Sequence, residues 1–244
     1  MKILYKMLSK TKEKIYYGQF GEDITMCTIL AFLFDVPKTN VTYIDVGSNE
    51  PVAGNNTYYF YLNQGHGVCI EPNPCFVKKY KKYRPKDTLI NAGIGFDKSV
   101  THAKYYDFGK RAHALNTFSA ERKDQVVQMF PLVATHDISL VNLNDVCDKF
   151  NEKIDIISID VEGLELQILY SFDFDNKKFR PKLFCIEANK TDVVCGYKSE
   201  LVRFMESKDY VVVADNFINI IFADIHQMKS NKQLFCNGNL LTGE

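Results

Sequence analysis

Short β-branched runs alternate with longer polar or helical stretches along most of the chain, and this alternation constrains the fold more than any other feature. Val41-Thr-Tyr-Ile-Asp-Val-Gly47 reads as a buried strand ending at a glycine turn. Gly67–Pro72, Asp87–Gly93, Ile154–Val161 and Lys182–Glu187 repeat the pattern as further strands. Asn55–Asn63, Pro74–Tyr83 and the stretch from Leu164 predict helices between them, with the proline at a tolerated early position. Tyr210–Ala214 and Ile218–Ala223 flank Asp215-Asn216 and predict a closing antiparallel pair. Strands separated by helices cannot pair as hairpins, so the expected fold is α/β, a mostly parallel sheet with helices on both faces.

Two segments leave this rhythm. Residues 1–40 are expected as an N-terminal helical extension, and residues 107–131 as a polar, irregular excursion after an accessory strand, Val100–Tyr106. No repeat or low-complexity linker divides the remainder. Residues 41–226 are therefore expected as one domain and 227–244 as a C-terminal tail.

Composition narrows the function classes. A chain of 244 residues can build a sizeable core without disulfides. Its 30 Lys and Arg balance 30 Asp and Glu, which argues against a nucleic-acid partner. The 7 cysteines form no Cys-x-x-Cys pair, and several sit in apolar runs, which predicts buried thiols in a reducing compartment. Lys6 breaks the first apolar run too early for a secretory signal, and the apolar stretch around Ile29–Phe34 is too short for a membrane span. A cytoplasmic location is expected. Lys2, Lys6, Lys10 and Lys14 form one helical stripe. It reads either as peripheral membrane contact through residues 2–15 or as the solvated face of a docked helix. Lys78, Lys79, Lys81, Lys82, Arg84 and Lys86 read as the exposed end of a helix. Oligomeric state leaves no mark in the sequence.

The strand ends carry the chemistry. They read Asp45-Val-Gly-Ser-Asn-Glu-Pro51, Glu71-Pro-Asn73, Asn91-Ala-Gly93, Asp160-Val-Glu-Gly163 and Glu187-Ala-Asn189. Taken singly, Asn73 or Asn189 is a helix cap or turn former. Together they mark a crevice beyond the carboxyl ends of the strands, where open α/β sheets bind ligands. Gly47 would let backbone approach a ligand closely. Glu71 lies 24 residues further on and can accept hydrogen bonds from two ribose hydroxyls. The G-x-G-x-x-G fingerprint is missing, no phosphate-binding P-loop occurs, and Glu50 stands where a pyrophosphate would need amide donors. A nucleoside without a pyrophosphate fits better; S-adenosylmethionine is the common one, and its cationic groups would be attracted to Asp45, Asp160 and neighbouring carboxylates.

In chain order, Gln19-Phe-Gly-Glu-Asp23, Tyr43-Ile-Asp-Val-Gly-Ser-Asn49, Asn55-Asn-Thr57 and Cys69-Ile-Glu-Pro-Asn-Pro74 form an ordered set. Asn91-Ala-Gly-Ile-Gly95, Leu115-Asn-Thr-Phe-Ser119, Ile157-Ser-Ile-Asp-Val-Glu-Gly-Leu-Glu165 and Cys185-Ile-Glu187 continue it. The set resembles the FkbM family of S-adenosylmethionine-dependent methyltransferases. The resemblance implies a class I methyltransferase, Rossmann-like fold of seven strands with an antiparallel final hairpin. It also implies O-methyl transfer to a sugar or glycan acceptor, whether free, nucleotide-linked or lipid-linked. Asp45, Gly47, Ser48 and Asn49 would then face the methionine part of the cofactor. Glu71 would hold the ribose, with Pro72 and Asn73 beside it, and Asn91 and Ala92 would lie near the adenine. Gln19 and Asp23 resemble N-terminal contacts to the same pocket. Pro51 departs from the family pattern, which usually has glycine there, so the local turn must differ.

Methyl transfer to a hydroxyl needs that hydroxyl's proton removed, by a base or with the help of a metal. Asp160 is the first candidate, facing both methyl group and cofactor, and Glu162 the second. His113, beside Arg111 in the polar excursion, is a third. Asp160, Glu187 and Asn189 offer oxygen ligands of the kind Mg²⁺ accepts. A nucleotide-binding oxidoreductase and a non-catalytic scaffold of the same fold are the alternative readings.

Overall fold

The computed structural model describes residues 16–188 and 199–229. Its elements run α1 (Glu22–Phe34), β1 (Thr42–Val46), α2 (Tyr58–Leu62), β2 (His66–Ile70), α3 (Val77–Tyr83) and β3 (Thr88–Ile90). There follow β4 (Gly93–Gly95), β5 (His102–Asp107), α4 (Ala120–Val126), β6 (Ala134–Asn142), α5 (Leu143–Phe150) and β7 (Ile156–Ile159). The last described elements are α6 (Glu165–Ser171), β8 (Leu183–Glu187), α7 (Glu200–Glu206), β9 (Tyr210–Asp215) and β10 (Asn219–Asp224).

One sheet has 7 strands in the order β3-β2-β1-β7-β8-β10-β9. The strands from β3 to β8 are parallel, and β10 pairs antiparallel with both β8 and β9. This is the class I methyltransferase arrangement, with its reversed final hairpin. The chain winds outward from β1 through β2 and β3, then returns to β7 on the other side. A crevice must therefore open between the carboxyl ends of β1 and β7.

Period-2 alternation sends the strand side chains to two cores. Ile44, Val46, Ile70, Ile157, Ile159, Phe184 and Ile186 pack on one face with Leu143, Ile168, Leu169, Leu201 and Met205 of α5, α6 and α7. Tyr43, Cys69, Ile156, Leu183 and Cys185 pack on the other with Met26, Leu30, Phe60 and Tyr80 of α1, α2 and α3. Full burial of each large aliphatic side chain is worth about 1.5–3 kcal/mol, so these two layers hold the sheet between its helices. Cys69, Cys75, Cys147 and Cys185 are free thiols, with Cys75 exposed.

Several expectations need correction. The strand expected over Asp87–Gly93 divides, because the chain bends at Asn91-Ala92 and β4 leaves for a second sheet of 3 strands, β4-β6-β5. Residues 107–131 are not wholly irregular. His113–Leu115 form a 3₁₀ turn, and α4 starts where the Ser119 hydroxyl accepts from the Arg122 amide at 3.1 Å. β6 and α5 had no counterpart among the expected elements. Arg84 is not part of an exposed helix end, since its side chain is 0% exposed. The lysine stripe of residues 2–15, Asn189 and most of the C-terminal tail lie outside the described residues. No described helix is long and apolar enough to cross a membrane.

Candidate active site

The carboxyl ends of β1, β2, β7 and β8 border a cleft of about 1020 Å³, counted to its open mouth. Gln19, Asp45, Gly47, Ser48, Asn49, Glu71, Pro72, Ala92, His113, Asp160, Glu162 and Glu187 all line it. Asp23, Asn73 and Asn91 do not border it. The oxygens of Asp23 accept from the Tyr17 and Ile24 amides at 2.7 and 2.9 Å, pinning the start of α1. Asn73 accepts from the Cys75 amide at 3.0 Å as a cap. Exposed Asn91 donates to the Glu71 and Pro72 carbonyls at 2.7 and 3.1 Å, bracing the end of β2 from outside.

The turn after β1 is shaped by its glycine. Gly47 has φ +75°, and a Cβ there would stand 1.7 Å from the Asp160 carbonyl oxygen. The close approach that requires glycine is thus to the β7 backbone. The positive φ ruled out at Pro51 falls instead at Asn49, φ 48°. In that conformation the Asn49 amide points at Glu71 and donates to its Oε2 at 2.7 Å, while the Asn73 amide donates to Oε1 at 2.7 Å. Each oxygen keeps lone-pair capacity, so the carboxylate can still accept from a pair of neighbouring hydroxyls. Burial pushes the Glu71 carboxyl up to about 7, against the pull of those two amides.

Asp45 is buried beside it. Its Oδ2 accepts from the Thr57 hydroxyl at 2.6 Å and from Asn55 Nδ2 at 3.4 Å, and burial raises its pKa.

Asp160, Glu162 and Glu187 converge so that one oxygen from each lies within 4.8 Å of the others. Burial first, and then mutual repulsion, raises the pKa of Asp160 and Glu187, so the group holds a proton more readily than isolated carboxylates. Glu162 is also raised by burial, partly offset by Arg122 of α4, which bonds it at 2.9 Å. Capping of the following turn does not account for these groups. That role belongs to Glu165, whose Oε1 accepts from the Val161 and Gly163 amides at 3.0 and 3.1 Å.

The segment between β3 and β7 closes the cleft with Ile94, Tyr105, His113, Asn116 and Phe118. His113 packs edge-on to Phe76, their ring centroids 5.3 Å apart, just beyond the Glu71-bound Asn73. It therefore stands on the Glu71 side of the cleft. Sequence reasoning missed Glu22, Arg84 and Glu165. Glu22 is wholly buried and accepts from the Asn216 and Asn219 side chains at 2.8 and 2.9 Å, tying α1 to the final hairpin.

The family model for the methyltransferase FkbM domain matches residues 45–212, which includes Asp45, Glu71, Asp160 and Glu187. A search of curated proteins finds no match. Among solved structures, the chain is similar to precorrin-6y C5,15-methyltransferase from Geobacter metallireducens, at 12% identity and TM-score 0.43 over 87% of this chain and 92% of that one. It is also similar to the fibrillarin pre-rRNA processing protein of Methanococcus jannaschii, at 16% and 0.42 over 84% and 73%. A third is an O-methyltransferase from Bacillus cereus in complex with SAH, at 10% and 0.38 over 91% and 87%. At these identities and TM-scores none of them bears on the acceptor.

Proposed function

This chain belongs to the FkbM methyltransferase family, and from that premise we propose that it methylates a hydroxyl of a sugar or glycan-type acceptor. It is an S-adenosylmethionine-dependent methyltransferase. The observation that carries the finer reading is the separation of Glu71 from the group formed by Asp160, Glu162 and Glu187. In the strand order, Asp160 follows a strand two places from that of Glu71, and Glu187 ends one three places away. At roughly 4.8 Å per strand these offsets are about 10 and 14 Å. A nucleoside held by Glu71 would point its sulfonium across β1 toward the carboxylates. The acceptor hydroxyl would then lie on the carboxylate side of the methyl group, and as its oxygen took the methyl from sulfur its proton would pass to Asp160, beside Glu187. Burial pushes the Asp160 carboxyl up to about 8, which suits that proton transfer, while Glu187, raised further by burial and by Asp160, is its hydrogen-bonded partner.

The same three carboxylates are hard oxygen donors of the type Mg²⁺ accepts, and a bound ion would lower the pKa of the acceptor hydroxyl. Excess EDTA should then depress turnover and added Mg²⁺ restore it. Unchanged turnover in EDTA leaves proton transfer to the carboxylates alone.

His113, on the Glu71 side, belongs on this reading with the nucleoside rather than with the base. Peripheral membrane contact through residues 2–15 would suit a lipid-linked acceptor. The test is methyl transfer from a labelled donor to a panel of free, nucleotide-linked and lipid-linked sugars. Asp160→Asn and Glu187→Gln should each lower kcat by roughly 10²–10⁴-fold and leave donor binding within a few-fold. Transfer to no sugar, with transfer to RNA or to an amine instead, would overturn the acceptor class.

A further inference from the structure

Behind the cleft wall that Asp45 lines, Arg84 is sealed from solvent, its side chain 0% exposed. A buried guanidinium persists only when its donors are met. Nε donates to Asp87 Oδ2 at 2.6 Å, Nη1 to Asn55 Oδ1 at 2.9 Å and Nη2 to Thr57 Oγ1 at 2.8 Å. The rings of Tyr43, Tyr61 and Tyr80 surround it, with centroids 5.3, 5.6 and 5.7 Å away, within cation–π reach. Asp87 is fixed in turn by the Tyr43 hydroxyl and the Gly67 amide, both at 3.0 Å.

Two of those three acceptors lead back to the cleft. The Thr57 oxygen receives a hydrogen bond from Arg84, so its own proton must go elsewhere. Asn55 Oδ1 lies at 3.1 Å but already accepts from Arg84 and from the Thr57 and Tyr58 amides at 3.0 and 2.8 Å. Asp45 Oδ2 at 2.6 Å is the remaining and better partner. Asn55, held by the same guanidinium, turns its Nδ2 to the Ser48 carbonyl at 2.8 Å and toward Asp45 at 3.4 Å. Both bonds to Asp45 fall on Oδ2.

We infer that Arg84 is a positioning residue for the methyl donor: by orienting Thr57 and Asn55 it fixes the Asp45 carboxylate and the Ser48 turn that border the donor's amino-acid end. This rests on the reading that the cleft holds the donor through Asp45 and Glu71. The two side chains that accept from its Nη1 and Nη2, Asn55 and Thr57, are the same two that donate to the Asp45 carboxylate lining the cleft.

Thr57→Val tests the relay, because it keeps the side chain's shape and removes only the hydroxyl. Arg84→Lys keeps the charge but cannot serve three acceptors at once. Donor affinity is measured with S-adenosylmethionine by titration calorimetry from pH 5 to 9, beside melting curves. Thr57→Val should bind about tenfold more weakly, a loss of about 1.4 kcal/mol, while remaining folded at the titration temperature. The fall of affinity at acid pH should also move to higher pH, because Asp45 loses a donor that favours its ionised form. The other groups acting on Asp45 are Arg84 and Asp87 behind it, Glu71 and Cys69 at β2, Tyr80 on α3, Asp160 after β7 and Cys185 on β8. Thr57→Val replaces none of these groups, and the one bond among them that it removes is that from Arg84 Nη2 to the Thr57 oxygen. Arg84→Lys should shift both readings in the same direction, and if it fails to fold, Thr57→Val decides alone. Wild-type affinity and pH profile in Thr57→Val, whatever its melting temperature, would confine Arg84 to the fold. Absence of binding to the wild-type protein would overturn the donor reading itself, a result distinct from unchanged binding in the variant.

Discussion

At the residue scale, Glu71 shows how one side chain can organise a turn and still serve a ligand. Two backbone amides at 2.7 Å hold its two oxygens in place, and burial lifts its pKa to about 7. A ribose diol donates best to the ionised form. Affinity for S-adenosylmethionine should therefore rise as pH increases through about 7 and level off above it. Glu71→Gln should weaken binding by roughly 10–100-fold at pH 8 and remove the step near neutrality. A wild-type pH profile in that variant would show that Glu71 does not hold the diol. For His113 the two roles part cleanly in kinetics. As a nucleoside contact, His113→Ala raises KM for the donor several-fold and leaves kcat within about twofold. A kcat loss of roughly 100-fold or more would return it to the role of base.

At the scale of elements, the turns that follow the strands decide whether the cleft exists. Gly47 and Gly163 both have positive φ, +75° and +110°, but only Gly47 is crowded by backbone, with the Asp160 carbonyl oxygen 1.7 Å from where a Cβ would stand. Gly47→Ala should cost more than about 3 kcal/mol and abolish donor binding, because β1 and β7 must separate. A Cβ at Gly163 would meet no atom within 4 Å, so Gly163→Ala should cost only about 1 kcal/mol of backbone strain. Equal melting temperatures for the two variants would contradict this account of the turn. The strand ends were legible in the sequence because a β-branched run closing on an acid or amide is a local signal. Arg84 was not, because nothing within a lysine-rich helix marks which cation turns inward. Asp87 is local, three residues on, but the other partners of Arg84, Asn55 and Thr57, lie 29 and 27 residues away. Glu22 escaped notice for the same reason, since its partners lie 194 and 197 residues away. The inserted β4-β6-β5 sheet was only partly legible, as β4 has only 3 residues and β6, though 9 residues long, opens after Ala134 on the polar run Thr135-His136-Asp137.

At the scale of the whole molecule, stability and function pull against each other at the carboxylate group. Asp160, Glu162 and Glu187 have raised pKa values in the folded chain. Between the unfolded and folded values the native state binds more protons than the unfolded state, so stability falls as pH rises from the ordinary carboxylate range toward alkaline pH. Glu187→Gln should flatten that decline in a series of melting curves, and a parallel decline in the variant would place its cause elsewhere. A chain that accepts this cost in its cleft gains a carboxyl, Asp160, that exchanges its proton near neutral pH. Everything proposed for the site depends on one property, that the cleft beyond β1 and β2 is built for S-adenosylmethionine. The most direct test is calorimetric titration of the protein with S-adenosylmethionine and, separately, with NAD, repeated on Asp45→Ala and Glu71→Ala. The expected result is binding of S-adenosylmethionine alone, weakened at least about tenfold in both folded variants. Binding of NAD, or S-adenosylmethionine binding that survives both substitutions unchanged, would contradict it.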